Sequence, residues 1–302
     1  MFLKFYFKNF KFLKIKVFII TVLILIFSSI LITKSSFKGY FYILYREVIR
    51  AQTLLSIRYQ PVLAGEHFLV AFTVGDIKNA QLVLQTAEHF YQPICKDFNI
   101  SLRHKIPIII YPSSKELNAS FGWTASESTM GTYWAGIIRV LSPQGWLRAN
   151  NSQEREEIFV SSGPMAHEVT HLVVDYIVKG NIPRWLTEGL AQYEEKKLTG
   201  FRFDYPDFIN QPLYPLAKMD RGFDQLPNQM LAYRQSLSLV EYLHQAYGPE
   251  SLKKILAVLS QGKNINLALK EAGVIYSSFP QKTPLAQLES DWQAWLAQTK
   301  QR

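Results

Sequence analysis

Cysteine occurs once in the 302 residues, at Cys95, so no disulfide can form within the chain and no thiolate cluster can hold a metal ion. Phe90, Tyr91, Ile94 and Phe98 recur around it at helical spacing, which reads Cys95 as a core residue. Acidic residues are missing from the first 38 positions, which carry seven lysines. That asymmetry accounts for most of the formal net charge of +9 and leaves +2 for the remaining 264 residues. No broad basic surface is left to neutralise phosphates, which argues against a nucleic-acid partner. Histidine is scarce too, with six in the chain. His67, His89 and His104 have no partner at a metal-ligand spacing and are read as surface or structural groups.

The first sixteen residues, MFLKFYFKNFKFLKIK, lead into Val17 to Thr33, 17 residues without a charge between Lys16 and Lys34. As a helix that run is just long enough to cross a bilayer. A cleaved signal peptide would have a shorter apolar stretch and an Ala-x-Ala-like site, for which Ser28, Ser29, Ser35 and Ser36 are weak substitutes. Five lysines precede the run, against Lys34, Lys38 and Arg46 soon after it, and this bias puts the N-terminus in the cytoplasm. The expected organisation is a basic N-terminus and transmembrane signal anchor over 1–38, a membrane-proximal helical linker over 39–60 and a domain over 61–302. The expected location is the cell membrane, single-pass, with the domain outside the cytoplasm. Phe41 to Gln60 is amphipathic and helical in pattern; it lies along the membrane surface, docks on the domain or, as expected, simply connects.

Further on, HFLVAFT (67–73) reads as a strand, 76–97 as a long amphipathic helix, and KIPIIIY (105–111) as the clearest strand in the chain. Ser113 or Ser114 caps a short helix, and 131–143 has the aromatic and β-branched content of one more strand. Phe201 to Gln229, rich in Pro, Tyr and Asp, reads as a loop passing over or beside a cleft. Helices follow over 230–248, 251–260, 265–272 and 284–298.

The most informative stretch is MAHEVTHLVVDYIVKGNIPRWLTEGLAQYEE, from Met165 to Glu195. Pro164 suits a first helical turn, and Lys179 with Gly180 suits a last one, so a helix is expected over about 164–178. On it His167 and His171 stand four apart, so both imidazoles leave one face and suit two adjacent ligands of a tetrahedral ion. Glu168, one step round, is read as the base beside an open coordination position. Pro183 restarts a second helix, on which Glu188 lies 17 residues after His171. Gly189 and Ala191 carry almost no side chain, which is expected to let that helix lie close against the first.

HEVTH followed by WLTEGLAQY resembles the gluzincin metallopeptidases, in particular the peptidase MA-like family with its Trp-x-x-Glu-Gly-x-Ala segment. The resemblance implies one zinc ion held by His167, His171 and Glu188, with Glu168 as general base. It implies an α+β, zincin-like catalytic domain: a mixed sheet with helices and the zinc-binding helix over about 61–200, and a helical part over 201–302. It also implies that an edge strand before that helix receives an extended peptide, which makes Tyr133 to Leu141 the candidate; the alternative is a buried inner strand. A Tyr-x-x-Ser segment opening the helix after the cleft makes Tyr233 the candidate donor to the oxyanion, with Tyr193 and His244 as rivals.

Asp175 and Gln192 each lie four residues after an expected ligand and are candidates to orient an imidazole. The functional expectation is a membrane-anchored zinc metallopeptidase that hydrolyses a peptide or protein substrate. The alternative is a catalytically idle relative that binds or scaffolds at the membrane.

Overall fold

The computed structural model describes residues 21–22, 35–122, 129–202, 211–275 and 282–299. Apart from Thr21 and Val22, the expected anchor over 17–33 lies outside them, and no helix among the described residues is long and apolar enough to cross a membrane. The architecture is mixed α+β.

Ile106–Tyr111 forms β3, the middle strand of a five-stranded sheet. Its partners β2 (Phe68–Ala71) and β5 (Ile137–Leu141) both run parallel to it, and a strand flanked in this way is covered on both faces. A nearly unbroken apolar run is what such a strand needs, and Ile106, Ile108, Ile109 and Ile110 are all buried. The margins are antiparallel: β1 (Val62–Ala64) beside β2, and β4 (Gly131–Trp134) beside β5, in the order β1-β2-β3-β5-β4. The single strand expected over 131–143 is therefore a hairpin. Ala135 and Gly136 turn it, with φ of 47° and 84°, the backbone of a two-residue turn that matches strand twist. The alanine adopts that left-handed geometry at a cost of roughly 1–2 kcal/mol, and nothing in an alanine side chain announces it.

Ten of the eleven helices described here follow or interleave with the sheet, and one precedes it. That one is α1 (Ser35–Ser56). It is no free connector, because Arg46 reaches the Asp175 carboxylate at 3.2 Å and Arg50 donates to the Lys105 carbonyl at 3.1 Å. Helix α2 (Ile77–Asp97) packs along the sheet, with Cys95 in the core as expected. Ser113 caps α3 (Ser114–Ala119) by accepting from the Glu116 N–H. Helix α4 (Ser152–Ser162) had no apolar period to reveal it; Asn151 caps it by accepting from the Glu154 N–H.

Helix α5 (Met165–Val178) belongs to two cores at once. Met165, Ala166, Val169, Leu172 and Val173 pack with the sheet, while Val174 and Val178 pack with the C-terminal helices. Its many β-branched residues each cost about 0.5 kcal/mol of helix propensity. Each gains roughly 1.5–3 kcal/mol by burial, so tertiary packing decides. Lys179 and Gly180, both left-handed, end the helix, and Gly180 lies under the Tyr42 ring, where a Cβ would stand 2.7 Å from Cε2.

After α6 (Arg184–Thr199) come α7 (Leu216–Gly222), α8 (Gln229–Tyr247), α9 (Pro249–Leu259), α10 (Ile265–Glu271) and α11 (Pro284–Thr299). The loop expected over 201–229 thus contains a helix, held by buried Leu216 and Met219; residues 203–210 of it lie outside the described ones. Trp292 is fully buried and donates to Ser238 Oγ, which ties α11 to α8.

Candidate metal centre

Helix α5 presents His167 and His171 one turn apart, and α6 crosses it with Glu188. The two imidazole Nε2 atoms stand 3.1 Å apart. The Glu188 carboxylate faces both, Oε2 3.3 Å from His167 Nε2 and Oε1 3.5 Å from His171 Nε2. These three side chains are brought together as expected, and one ligand atom from each lies within 4.8 Å of the others.

The outer nitrogens decide what the inner ones present. His167 Nδ1 faces Glu195 Oε2 at 3.3 Å, and an ionised carboxylate can only accept, so Nδ1 carries the proton. His171 Nδ1 lies 2.9 Å from Thr187 Oγ1, a hydroxyl able to accept in the same way. Both Nε2 lone pairs then converge with the Glu188 carboxylate, an arrangement that is repulsive unless a cation lies among them. The residues fit a divalent metal ion.

The electrostatics point the same way. Burial works against the ionisation of Glu188, but His171, Arg184 and, while their Nε2 atoms carry protons, hydrogen bonds from the two imidazoles outweigh it and hold the carboxyl well below its ordinary range, a role that a metal ion among the three side chains would take over from those protons. Burial likewise lowers the basicity of His167, but Glu188 and Glu195 outweigh it, so positive charge is favoured at this point. Glu168 is buried beside the imidazoles, and that burial pushes its carboxyl up. Its Oε2 has no hydrogen-bond partner among the described residues, while the Tyr133 backbone N–H hydrogen-bonds the same carboxyl. Gly131 allows this approach, since a Cβ there would lie 2.8 Å from Pro164 Cβ and 3.2 Å from Glu168 Cγ.

Arg184, one turn before Glu188, bridges that carboxylate at 3.0 Å and the Tyr233 hydroxyl. Tyr233, from α8, thereby stands at the centre, and burial raises its phenol so that it keeps its proton. Its rivals lie against each other instead, the rings of Tyr193 and His244 tilted by 35° with centroids 5.1 Å apart, and the charges around Tyr193 are Lys197, Glu194, Glu241 and Asp97.

Two positioning expectations are corrected. Asp175 does not orient an imidazole; it binds Arg46 and accepts from the Tyr133 hydroxyl at 2.6 Å. Gln192 donates to the carbonyls of Glu188 and Tyr233, bracing α6 on α8. The imidazoles are oriented by Thr187 and Glu195, which the sequence reading passed over. Glu195 could have been found: it lies seven residues after Glu188, two turns along the same face, and is a buried acid. Gly189 is corrected as well, because what it lets approach is α8, through the Ser236 backbone and the Val240 side chain, rather than α5.

A family model described as the Peptidase MA superfamily matches residues 88–298. The chain belongs to the Peptidase MA superfamily. No curated protein matches it. Within this Peptidase MA superfamily chain the matched region takes in β3 to β5, the whole metal centre and the C-terminal helices, whereas α1, β1 and β2 precede it.

Proposed function

We propose that the protein is a zinc-dependent metallopeptidase, anchored in the cell membrane by residues 17–33 with its catalytic part outside the cytoplasm. The observation that carries the reading is the triangle of His167, His171 and Glu188 beside the unpaired oxygen of Glu168. Ligands held 2.0–2.1 Å from a tetrahedral centre stand about 3.3–3.4 Å from one another. The separations of 3.1, 3.3 and 3.5 Å bracket that spacing, which supports zinc over larger ions that take six to eight oxygens.

A zinc ion held by these three side chains would polarise the substrate carbonyl and bring the pKa of a water down to about 7. Glu168 takes the proton of the attacking water on its free Oε2 and delivers it to the departing amine. The raised carboxyl suits that second duty, since it holds a proton more readily than an exposed glutamate. Tyr233 donates its hydroxyl proton in a hydrogen bond to the oxyanion, and Arg184 keeps the phenol and Glu188 in fixed relation. The substrate backbone pairs with β4, which lies at the edge of the sheet and whose Tyr133 N–H already faces Glu168.

The test is digestion of a peptide library by the protein with and without a chelator, alongside Glu168→Gln and Tyr233→Phe. Cleavage should vanish with the chelator and return with zinc. Glu168→Gln should bind zinc with turnover lowered at least about a hundredfold, the usual contribution of a general base. Equal hydrolysis by wild type and Glu168→Gln would reject the proposed base, and metal binding without cleavage by wild type would favour the idle relative. Tyr233→Phe should lose turnover with metal content intact; full activity would remove Tyr233 from the mechanism.

A further inference from the structure

Helix α1 carries its charge inward and its apolar side chains outward. Arg46 is only 5% exposed, with its guanidinium 3.5 Å above the Tyr176 ring and bonded to Asp175. Phe41, Leu44, Tyr45, Val48 and Leu55 are exposed, Leu44 and Leu55 at 62% each. Their spacing puts them on one stripe, and 1.5 Å per residue makes it about 21 Å long. The other exposed positions in that stretch are Ala51 and Gln52, and the one partly exposed acid, Glu47, stands at the margin of the stripe beside Arg46 and Arg50, so no charge interrupts it. Scattered apolar residues on a surface are ordinary, but a charge-free stripe along four turns of one helix indicates a partner.

Position and composition identify the partner. Helix α1 starts one residue after Lys34, which closes the charge-free run of 17–33, so the stripe begins where the chain leaves that run. Tyr40, Tyr45 and Tyr59 are exposed along it, Tyr59 at 85% just past the helix end. Tyrosine, with an apolar ring and a polar tip, suits the headgroup layer of a bilayer. Lys38 and Arg58, both exposed, mark the two ends with cations that can reach anionic headgroups. A seam for a second copy of the chain would call for a regular aliphatic repeat flanked by charges of both signs, and this stripe has neither.

We propose that α1 lies in the plane of the membrane interface with lipid as the partner of its exposed face, so that the domain is held flat against the bilayer instead of hanging from a tether. The inference rests on the anchor reading of residues 17–33. Its inward side supplies the rigid connection, since Arg46 binds Asp175 one helical turn from His171. Helix α1 also precedes the region matched by the family model, so the device belongs to this chain's own N-terminal part.

The test uses the full chain in phosphatidylcholine–phosphatidylglycerol vesicles, with an environment-sensitive fluorophore on Leu44→Cys, Leu55→Cys or, as control, Lys254→Cys. Cys95 is buried and burial raises its thiol, so native labelling goes to the introduced cysteine. A quencher carried on the upper acyl chain should remove most of the fluorescence at 44 and 55 and none at 254. Unquenched labels at 44 and 55 would overturn the inference, as would disulfide-linked dimers formed through Leu44→Cys. Alkaline carbonate extraction reads the anchor separately: release of protein whose labels were quenched beforehand sinks the anchor and leaves the interfacial helix standing.

Discussion

Arg46 and Asp175 meet across 129 positions of sequence, Nη1 3.2 Å from Oδ2, and both side chains are buried. The same carboxylate oxygen accepts from the Tyr133 hydroxyl at 2.6 Å, and that phenol oxygen in turn accepts from the Gly136 N–H at 2.9 Å. One acid therefore ties α1, the β4–β5 hairpin and the end of α5 together. Tyr133 connects the node to the metal centre, because its backbone N–H hydrogen-bonds Glu168.

Asp175→Ala should consequently be among the more damaging substitutions outside the centre itself. It leaves the buried Arg46 guanidinium with only Glu47, 3.9 Å away and partly exposed, as a counter-charge, and breaking such a buried pair costs about 3–5 kcal/mol. Arg46→Met should cost less, since an apolar chain fills the space and Asp175 keeps its phenol donor. Urea denaturation of the two variants would show the order, and equal small losses would mean that the pair is solvated in solution.

How much of this was legible follows from which signals are local. His167, Glu168 and His171 sit within five residues on one helix, so helical geometry alone placed them on one face. Glu188 and Tyr233 came from motif resemblance, because no local rule says that α6 and α8 converge on α5. The strand at 105–111 was plain because a β3 buried on both faces has to be apolar throughout. The hairpin was not, since its turn is Ala135-Gly136 and the alanine hides the left-handed geometry. Asp175 was misassigned for the same kind of reason: an acid near a helix C-terminus signals that it has a partner, but the partner lay 129 residues away. Helix α4 was missed because its polar residues leave no period to read.

The Nδ1 contact between His167 and Glu195 predicts a graded loss of metal. Replacing a residue that orients a ligand typically costs 10–100-fold in affinity. Glu195→Ala should therefore raise the zinc dissociation constant by about that factor, and Thr187→Val should do so for His171. Glu188→Ala removes a ligand and should abolish retention through gel filtration. Competition against a chelating dye measures all three. Unchanged affinity in Glu195→Ala would mean that the imidazole keeps its tautomer without the acid, and retention in Glu188→Ala would take Glu188 out of the ligand set.

Gly189 makes the last connection, from packing to chemistry. A Cβ at this position would strike the Ser236 carbonyl oxygen and lie 2.6 Å from Val240 Cγ2, both on α8. A backbone carbonyl within a helix cannot swing aside, so Gly189→Ala must push α6 away from α8, at a cost of about 1–3 kcal/mol for overpacking. In an ordinary helix the same change gains up to about 1 kcal/mol in propensity, so a net loss of stability would isolate the steric term. Because Glu188 is the adjacent residue on α6 and Tyr233 the facing one on α8, the shift also separates a ligand from the oxyanion donor. Gly189→Ala should thus lose both zinc affinity and turnover, while an alanine at the half-buried Gly222, whose Cβ would have only the Gln225 side chain within reach, should leave both unchanged. A Gly189→Ala protein with full stability and full zinc affinity would show that the two helices have slack at this crossing.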